Sequence, residues 1–265
     1  MRGVAARLSP GLLVVMTMAA AGCAARLPPR PSGAAVPAPD AVPLFEQATA
    51  HCAGLRTLTL ELALSGRAGA QRVRGRIIAG LERGGMARLE GVAPFGAPVF
   101  ILAARAEQAT LLLPRDRRVL ASASVTDVIE RLTGLPVGAD DLRRVLAGCL
   151  GAGGEAHDGR QWPRGWRAVS TPGNRTVFLR QRAGRWQVAA ADGGGWRADY
   201  REVVNGLPSE VRLRADDGTV DLLARVEQLQ MNTSIDPAAF EVSIPPGTAP
   251  MTLSELTSVA PLRTP

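Results

Sequence analysis

Period-two alternation, broken at short intervals by turn residues, leaves this chain little freedom in what it can fold into. Leu58, Leu60, Leu62 and Leu64 share one side of a segment whose other side holds Thr57, Thr59 and Glu61, the pattern of an amphipathic strand. Arg72, Arg74 and Arg76 alternate with Val73, Gly75 and Ile77, a second strand with a basic outer face. Further strand segments fall at about 85–91, 98–106, 108–113 and 117–122, then 163–170, 175–182, 185–191, 196–204, 209–215 and 219–229. Ala183-Gly184, Asp192-Gly193-Gly194-Gly195 and Asp216-Asp217-Gly218 between them are hairpin signals. Connections this short make sequence neighbours pair antiparallel. The expected fold is therefore α+β, mainly antiparallel β, with about 11 strands in one sheet.

Helical periodicity occurs in three places. Phe45, Ala48, Cys52 and Leu55 fall on one face of a helix over 44–55. Ser124 and Asp127 form a capping box ahead of Val125, Val128, Ile129 and Leu132, and after Thr133-Gly134-Leu135-Pro136 a further helix aligns Leu142, Val145, Leu146 and Cys149. Three helices cannot cover both faces of so large a sheet. An open half-barrel with a helical lid over its apolar face follows. The chain is 46% hydrophobic but only 4% aromatic, so that face is aliphatic. It suits either a slender acyl chain or a close-packed core, and alternation alone does not choose between them. Leu58, Leu60, Leu62, Ile101 and Leu132 are the candidate cavity residues, on an inner face that a one-residue slip would invert.

The N-terminus points to export. Arg2 and Arg7 precede a short apolar run, Gly11 to Ala19, and then small residues that lead to Cys23. From Leu12 to Gly22 a helix would span about 16 Å, roughly half a bilayer's hydrocarbon thickness, which fits a cleaved signal over residues 1–22. Ala20-Ala21-Gly22-Cys23 resembles the lipobox of bacterial lipoproteins, in which the cysteine is acylated after cleavage. In enteric-type lipoproteins the Ala24 that follows would permit export to the outer membrane. Residues 23–43 carry six prolines and read as a semi-rigid tether, and 44–265 as a single domain. All 31 basic residues are Arg, which excludes lysine chemistry such as Schiff bases and Walker-type phosphate loops. The formal charge of +7 falls to +5 when 1–22 are removed. An exported basic protein of this kind meets lipid phosphates, and no nucleic acid is expected as a partner.

Two stretches are specific enough to resemble a family. Met86-Ala-Arg-Leu-Glu-Gly-Val-Ala-Pro94-Phe95-Gly96 ends a strand in a Pro-apolar-Gly loop, and Val128-Ile129-Glu-Arg-Leu132-Thr133-Gly134-Leu135-Pro136 is followed by Leu142-Arg143 and Leu146-Ala-Gly148. Both resemble the outer-membrane lipoprotein receptors of the LolB type, in the LolA/LolB-fold superfamily. The resemblance implies an open β-barrel with a helical lid. It also implies a monomer on the periplasmic side of the outer membrane that takes acylated lipoproteins from a LolA-type carrier and inserts them into outer-membrane lipid. Pro94, Phe95 and Gly96 would be the membrane-contact loop, with Phe95 where the family usually has Leu. The tail from Ser234 onward extends past the family's usual end and is more like the closing segment of other lipoproteins with this fold.

Cys52 and Cys149 lie on apolar helix faces in an oxidising compartment. A disulfide, two buried thiols, or a zinc site with His51 and His157 are the alternatives. No catalytic motif is present: there is no H-E-x-x-H and no G-x-S-x-G, Asp216-Asp217 sits in a turn, and Gly151-Ala-Gly-Gly154 follows a helix and not a strand. Neither an enzyme, a cofactor nor a bound metal is expected. Phe95→Glu is expected to keep the fold and acyl binding but to slow membrane delivery. A liposome transfer assay checks this, and wild-type delivery rates would refute the loop assignment.

Overall fold

The alternating segments pair in sequence order to build one sheet. The computed structural model describes residues 30–92, 98–154, 156–204 and 206–259. The signal segment, Cys23 and the Pro94-Phe95-Gly96 loop lie outside the described residues. In chain order the elements are β1 (Val36–Pro37), α1 (Ala41–Ala48), a 3-10 turn (Ala50–Gly54), β2 (Thr57–Ala68), β3 (Gln71–Glu82), β4 (Met86–Val92), β5 (Pro98–Arg105), β6 (Gln108–Leu113) and β7 (Arg118–Ser124). There follow α2 (Val125–Thr133), α3 (Ala139–Leu146), β8 (His157–Trp162), β9 (Trp166–Thr171), β10 (Arg175–Arg182), β11 (Arg185–Gly193), β12 (Trp196–Val204), β13 (Leu207–Ala215) and β14 (Val220–Met231). A second 3-10 turn (Pro237–Phe240), β15 (Ala249–Pro250) and α4 (Leu253–Val259) end the described chain.

The sheet is open and mostly antiparallel, with 15 strands in the order β1-β8-β9-β10-β11-β12-β13-β14-β2-β3-β4-β5-β6-β7-β15. The expected count of about 11 is too low. β1 and β15 are two residues each and leave no periodic trace. β8 reads His-Asp-Gly-Arg-Gln-Trp, with no apolar alternation to mark it. The segment expected at 163–170 spans the β8–β9 turn and most of β9. Alternate strand ends define two rims. The turns β2–β3, β11–β12 and β13–β14 and the β4–β5 connection lie at one, called here the upper rim. The turns β3–β4, β10–β11 and β12–β13 lie at the lower rim.

Helices cover one face only. α1 packs on β8, β9 and β11, α2 on β6 and β7, and α3 on β3 and β4. Ser124 caps α2 by accepting from the Asp127 N–H at 3.4 Å, and Gly134 ends it in the left-handed conformation at a φ of 77°. α3 carries Asp140 and Asp141 in its first turn and Arg143 and Arg144 in its last, matching the helix dipole. The helix expected over 44–55 is in fact two pieces. The Thr49 hydroxyl donates to the Phe45 carbonyl at 2.8 Å, and the chain tightens from there into the 3-10 turn.

The two chain ends wrap the two sheet edges. Arg30 lies on the outer face against β11 and β12, Trp162 donates to Gly33 O at 3.1 Å, and β1 pairs with the β8 edge before α1 enters the inner face. Residues 30–43, expected as tether, are therefore part of the folded body. At the other edge Pro237–Phe240 lies on β4 and β5, and Phe240 is buried. β15 then pairs with β7, and α4 reaches α2, with Met251 and Leu256 in the inner core. Truncation of Leu256, only 1% exposed, to Ala should cost about 3 kcal/mol. Urea unfolding measures this, and a loss under 1 kcal/mol would show that α4 is only loosely docked.

Candidate functional site

The predicted cavity residues divide once the sheet is built. Leu58, Leu60 and Leu62 are 0%, 2% and 5% exposed and belong to one core cluster with residues of the helices. Leu132, half-buried on α2, packs against that cluster. Ile101 is on the wrong face: it pairs with Glu90 and Leu112, while Phe100, Leu102 and Ala104 point into the core. The reason is local. The Pro237–Phe240 turn covers the outside of β5, so Phe100-Ile101-Leu102-Ala103-Ala104 is apolar on both faces, and alternation carries no sign of which is inner. None of these five residues lines either of the two cavities described below.

An opening on the inner face lies at the lower rim, a cavity of about 410 Å³ between α1 and β11–β13. Ala48, Trp186, Val188, Val203 and Pro208 give it an apolar wall, and Gln47, His51, Arg185 and Gln187 a polar margin. Its volume falls within the roughly 300–1,000 Å³ of small-molecule sites. Tyr200 also borders it. The Tyr200 hydroxyl is buried with no hydrogen-bond partner among the described residues, and burial pushes its phenol well above the ordinary value.

A covalent floor supports this corner. Cys52, in the 3-10 turn after α1, and Cys149, just after α3, form a disulfide with an S–S distance of 2.09 Å and Cα atoms 5.7 Å apart. It closes a loop across 97 residues of sequence, for which the chain-entropy model gives about 4–5 kcal/mol. His51 Nε2 lies 3.4 Å from Cys52 Sγ and 3.6 Å from Cys149 Sγ. His157 sits apart, on β8, and no zinc site forms from these four residues, because the two sulfurs are bonded to each other and not available as thiolates. Arg143 was not foreseen as structural. At 4% exposed it donates to Leu55 O at 3.2 Å and to Asp140 Oδ1 at 2.9 Å, tying α3 to the same corner. The Asp140–Arg143 spacing of three is the one sequence signal of that pair.

No protein-family model matches the chain, and no curated protein matches it in sequence. Several solved structures align with most of the chain at low identity. A LolA superfamily protein from Nitrosomonas europaea is 10% identical, with 77% of this chain and 97% of that one covered, at a TM-score of 0.45. A DUF1329 family protein from Desulfovibrio piger is 13% identical over 76% of this chain and 94% of its own, also at 0.45. The lipoprotein LppX of Mycobacterium tuberculosis is 10% identical over 75% and 99%, at 0.33. At this level the likeness transfers no residue roles.

Burial holds His51 below the ordinary histidine pKa, against the opposing pull of hydrogen bonds to the backbone of Ala147 and Ala48. The unfolded chain therefore takes up a proton near pH 6.5 that the folded chain refuses until lower pH. Stability is expected to be level from pH 8 to 7 and to fall as pH drops through 6.5, with His51→Gln flattening that part of the curve. Urea midpoints against pH measure it, and an unchanged slope in the variant would remove His51 as the cause.

Proposed function

We propose that this chain is a lipid-anchored envelope protein, without enzymatic activity, that holds an acyl chain or a similarly slender apolar group in the lower-rim cavity. It would serve as a carrier or receptor for acylated proteins at the outer membrane, facing the periplasm. The observation that carries the proposal is the 410 Å³ cavity, apolar on one wall and polar at its margin, on the helix-covered face of an open sheet. An aliphatic pocket gains about 0.8 kcal/mol per buried methylene without demanding a fixed ligand shape, and the unpartnered Tyr200 hydroxyl is a donor for a carbonyl at the chain's polar end. Cys23 supplies the anchor, and a LolB-like handover through the Pro94-Phe95-Gly96 loop, with a LolA-type partner, is the finer form of this reading.

A second reading is a structural or sensing lipoprotein of the same architecture with no ligand. The packing of Leu58, Leu60 and Leu62 into a continuous core favours it, because the middle of the expected half-barrel is filled.

A fluorescent fatty-acid titration decides between them. The wild type should bind the probe saturably. Ala48→Trp, which grows a ring from the half-buried cavity wall, should weaken it roughly tenfold, equivalent to losing contact with about two methylenes, at unchanged melting temperature. Absence of binding by the wild type would leave the structural reading.

A further inference from the structure

The outer face of the sheet carries charge in register. Across six adjacent strands, Asp192, Arg197, Arg214, Asp221, Arg67 and Arg72 stand directly opposite one another, one from each of β11, β12, β13, β14, β2 and β3. The next row towards the lower rim places Asp199, Arg212, Leu223, Ser65 and Arg74 opposite one another in the same way. Six strands at about 4.8 Å spacing make a band roughly 24 Å wide.

Guanidinium outnumbers carboxylate in this band. Asp199 serves both Arg30 and Arg214, Glu210 serves both Arg201 and Arg225, and Asp221 is taken up by Arg212, whose Nε donates to it at 2.7 Å. At the β2–β3 end of the band, where Arg67, Arg72 and Arg74 are all exposed, the two rows hold no carboxylate on either strand. A shallow cavity of about 420 Å³ lined by Ser65, Arg67, Arg201, Arg212 and Asp221 opens beside it.

The chain's own connection places this face. Arg30 is fixed on the band's other end, its Nε 2.9 Å from Asp199 Oδ1, its guanidinium also bonded to Asp192 and 5.5 Å from the centre of the Phe178 ring. Cys23 precedes it by seven residues, and seven residues reach at most about 25 Å. On the reading that Cys23 is acylated, on which this inference rests, the Arg30 end of the outer face stands no further than that from the lipid surface, and the rest of the band, within roughly 24 Å of Arg30, can be brought down onto it.

We propose that the outer-face arginine band, centred on Arg67, Arg72 and Arg74, docks on anionic lipid phosphates of the membrane that holds the anchor. A band with excess positive charge, on a tether that lets it come down onto the phosphate surface, feels the attraction once it is within a Debye length, about 8 Å at physiological salt. The Arg30 latch thereby sets the orientation: upper rim and outer face towards the membrane, lower-rim cavity away from it.

Arginine-selective labelling with phenylglyoxal, read by peptide mass, tests this on the full lipidated protein in vesicles of phosphatidylcholine alone or with 30% phosphatidylglycerol. Labelling of Arg67, Arg72 and Arg74 should be slowed about fivefold by the anionic lipid, and the protection should vanish in 0.5 M salt. Exposed Arg185, at the lower rim, should label equally in both. In Arg67→Glu/Arg74→Glu the remaining Arg72 should label at the phosphatidylcholine rate. Equal labelling of the three arginines in both vesicles, with the protein floating with both, would overturn the docking proposal alone and turn the band over to an acidic protein partner. Failure to float with either would overturn the anchor reading and this inference together.

Discussion

Everything in this molecule depends on the pairing of β14 with β2. The ladder runs from Val220 opposite Ala68 to Met231 opposite Leu58, and it is what makes two meanders, β2–β7 and β8–β14, into one sheet. It also fixes the faces, since Leu58, Leu60 and Leu62 point inward only because β14 and β3 hold β2 in one register. The chain narrows sharply at one point of it. Gly66 has a φ of 142°, and a Cβ there would run into the Asp221 carbonyl, so no other residue allows β14 to approach so closely. A contact between strands this far apart in sequence carries a large closure entropy. The Cys52–Cys149 disulfide, which cuts across one of the intervening meanders, reduces the freedom that the ladder must overcome.

An open sheet of this width has two edges to protect. The chain uses its own ends, and both follow the same course from the outer face around an edge to the inner one. β1 is short because α1 begins at Ala41; just before it the missing Cβ of Gly159 leaves room for the Ala38 carbonyl, and Ala38 N–H donates to Gly159 O at 2.7 Å. β15 is held by the Ala249 N–H on Arg117 O and the Met251 N–H on Val119 O, each at 2.8 Å, and is short because α4 begins at Leu253. Each edge therefore presents two residues of strand and then a helix, which is poor ground for a second copy to pair with.

The parts of this fold that were legible in the sequence are those where a single face decides the pattern. β2 and β3 were readable because one side is leucine and valine and the other threonine, glutamate and arginine. α2 and α3 were readable from their caps and stripes, and the hairpin turns from Gly and Asp. Legibility failed wherever the C-terminal or N-terminal wrap changed the rules. β5 is apolar on both sides because Phe240 and its neighbours cover its outer face, so Ile101 and Leu102 could not be told apart. β8 carries no periodic signal because neither of its faces is fully buried and β1 only pairs with its edge. The cavity was missed for a related reason. It is built from a strand start, Arg185 to Val188, a hairpin turn at Gly206, and the side of a helix, and no one of those segments has a pattern that distinguishes lining a space from filling one.

The placement of the cavity constrains any transfer mechanism. Its lining residues lie at the lower rim, by the β10–β11 and β12–β13 turns, whereas Arg30, the arginine band and the β4–β5 connection belong to the upper half. On the proposed reading, with Cys23 as the anchor and Arg30 seated, a ligand would enter the cavity from the side away from the membrane, which suits receipt from a soluble donor. Delivery to the membrane through the β4–β5 loop would need the bound group to cross the height of the sheet, through a core in which Leu58 and Leu60 are close to fully buried. Close-packed side chains do not open continuously, so a route through the middle is far more costly than turning the body over. The ion pairs of Arg30 with Asp192 and Asp199 and its contact with Phe178 are the contacts that hold the body from turning. Arg30 also donates to Ala198 O at 2.9 Å, and with side chains 16% and 7% exposed the Arg30–Asp199 pair is screened far less than a surface pair, so turning the body means breaking a largely buried ion pair while the sheet itself stays folded.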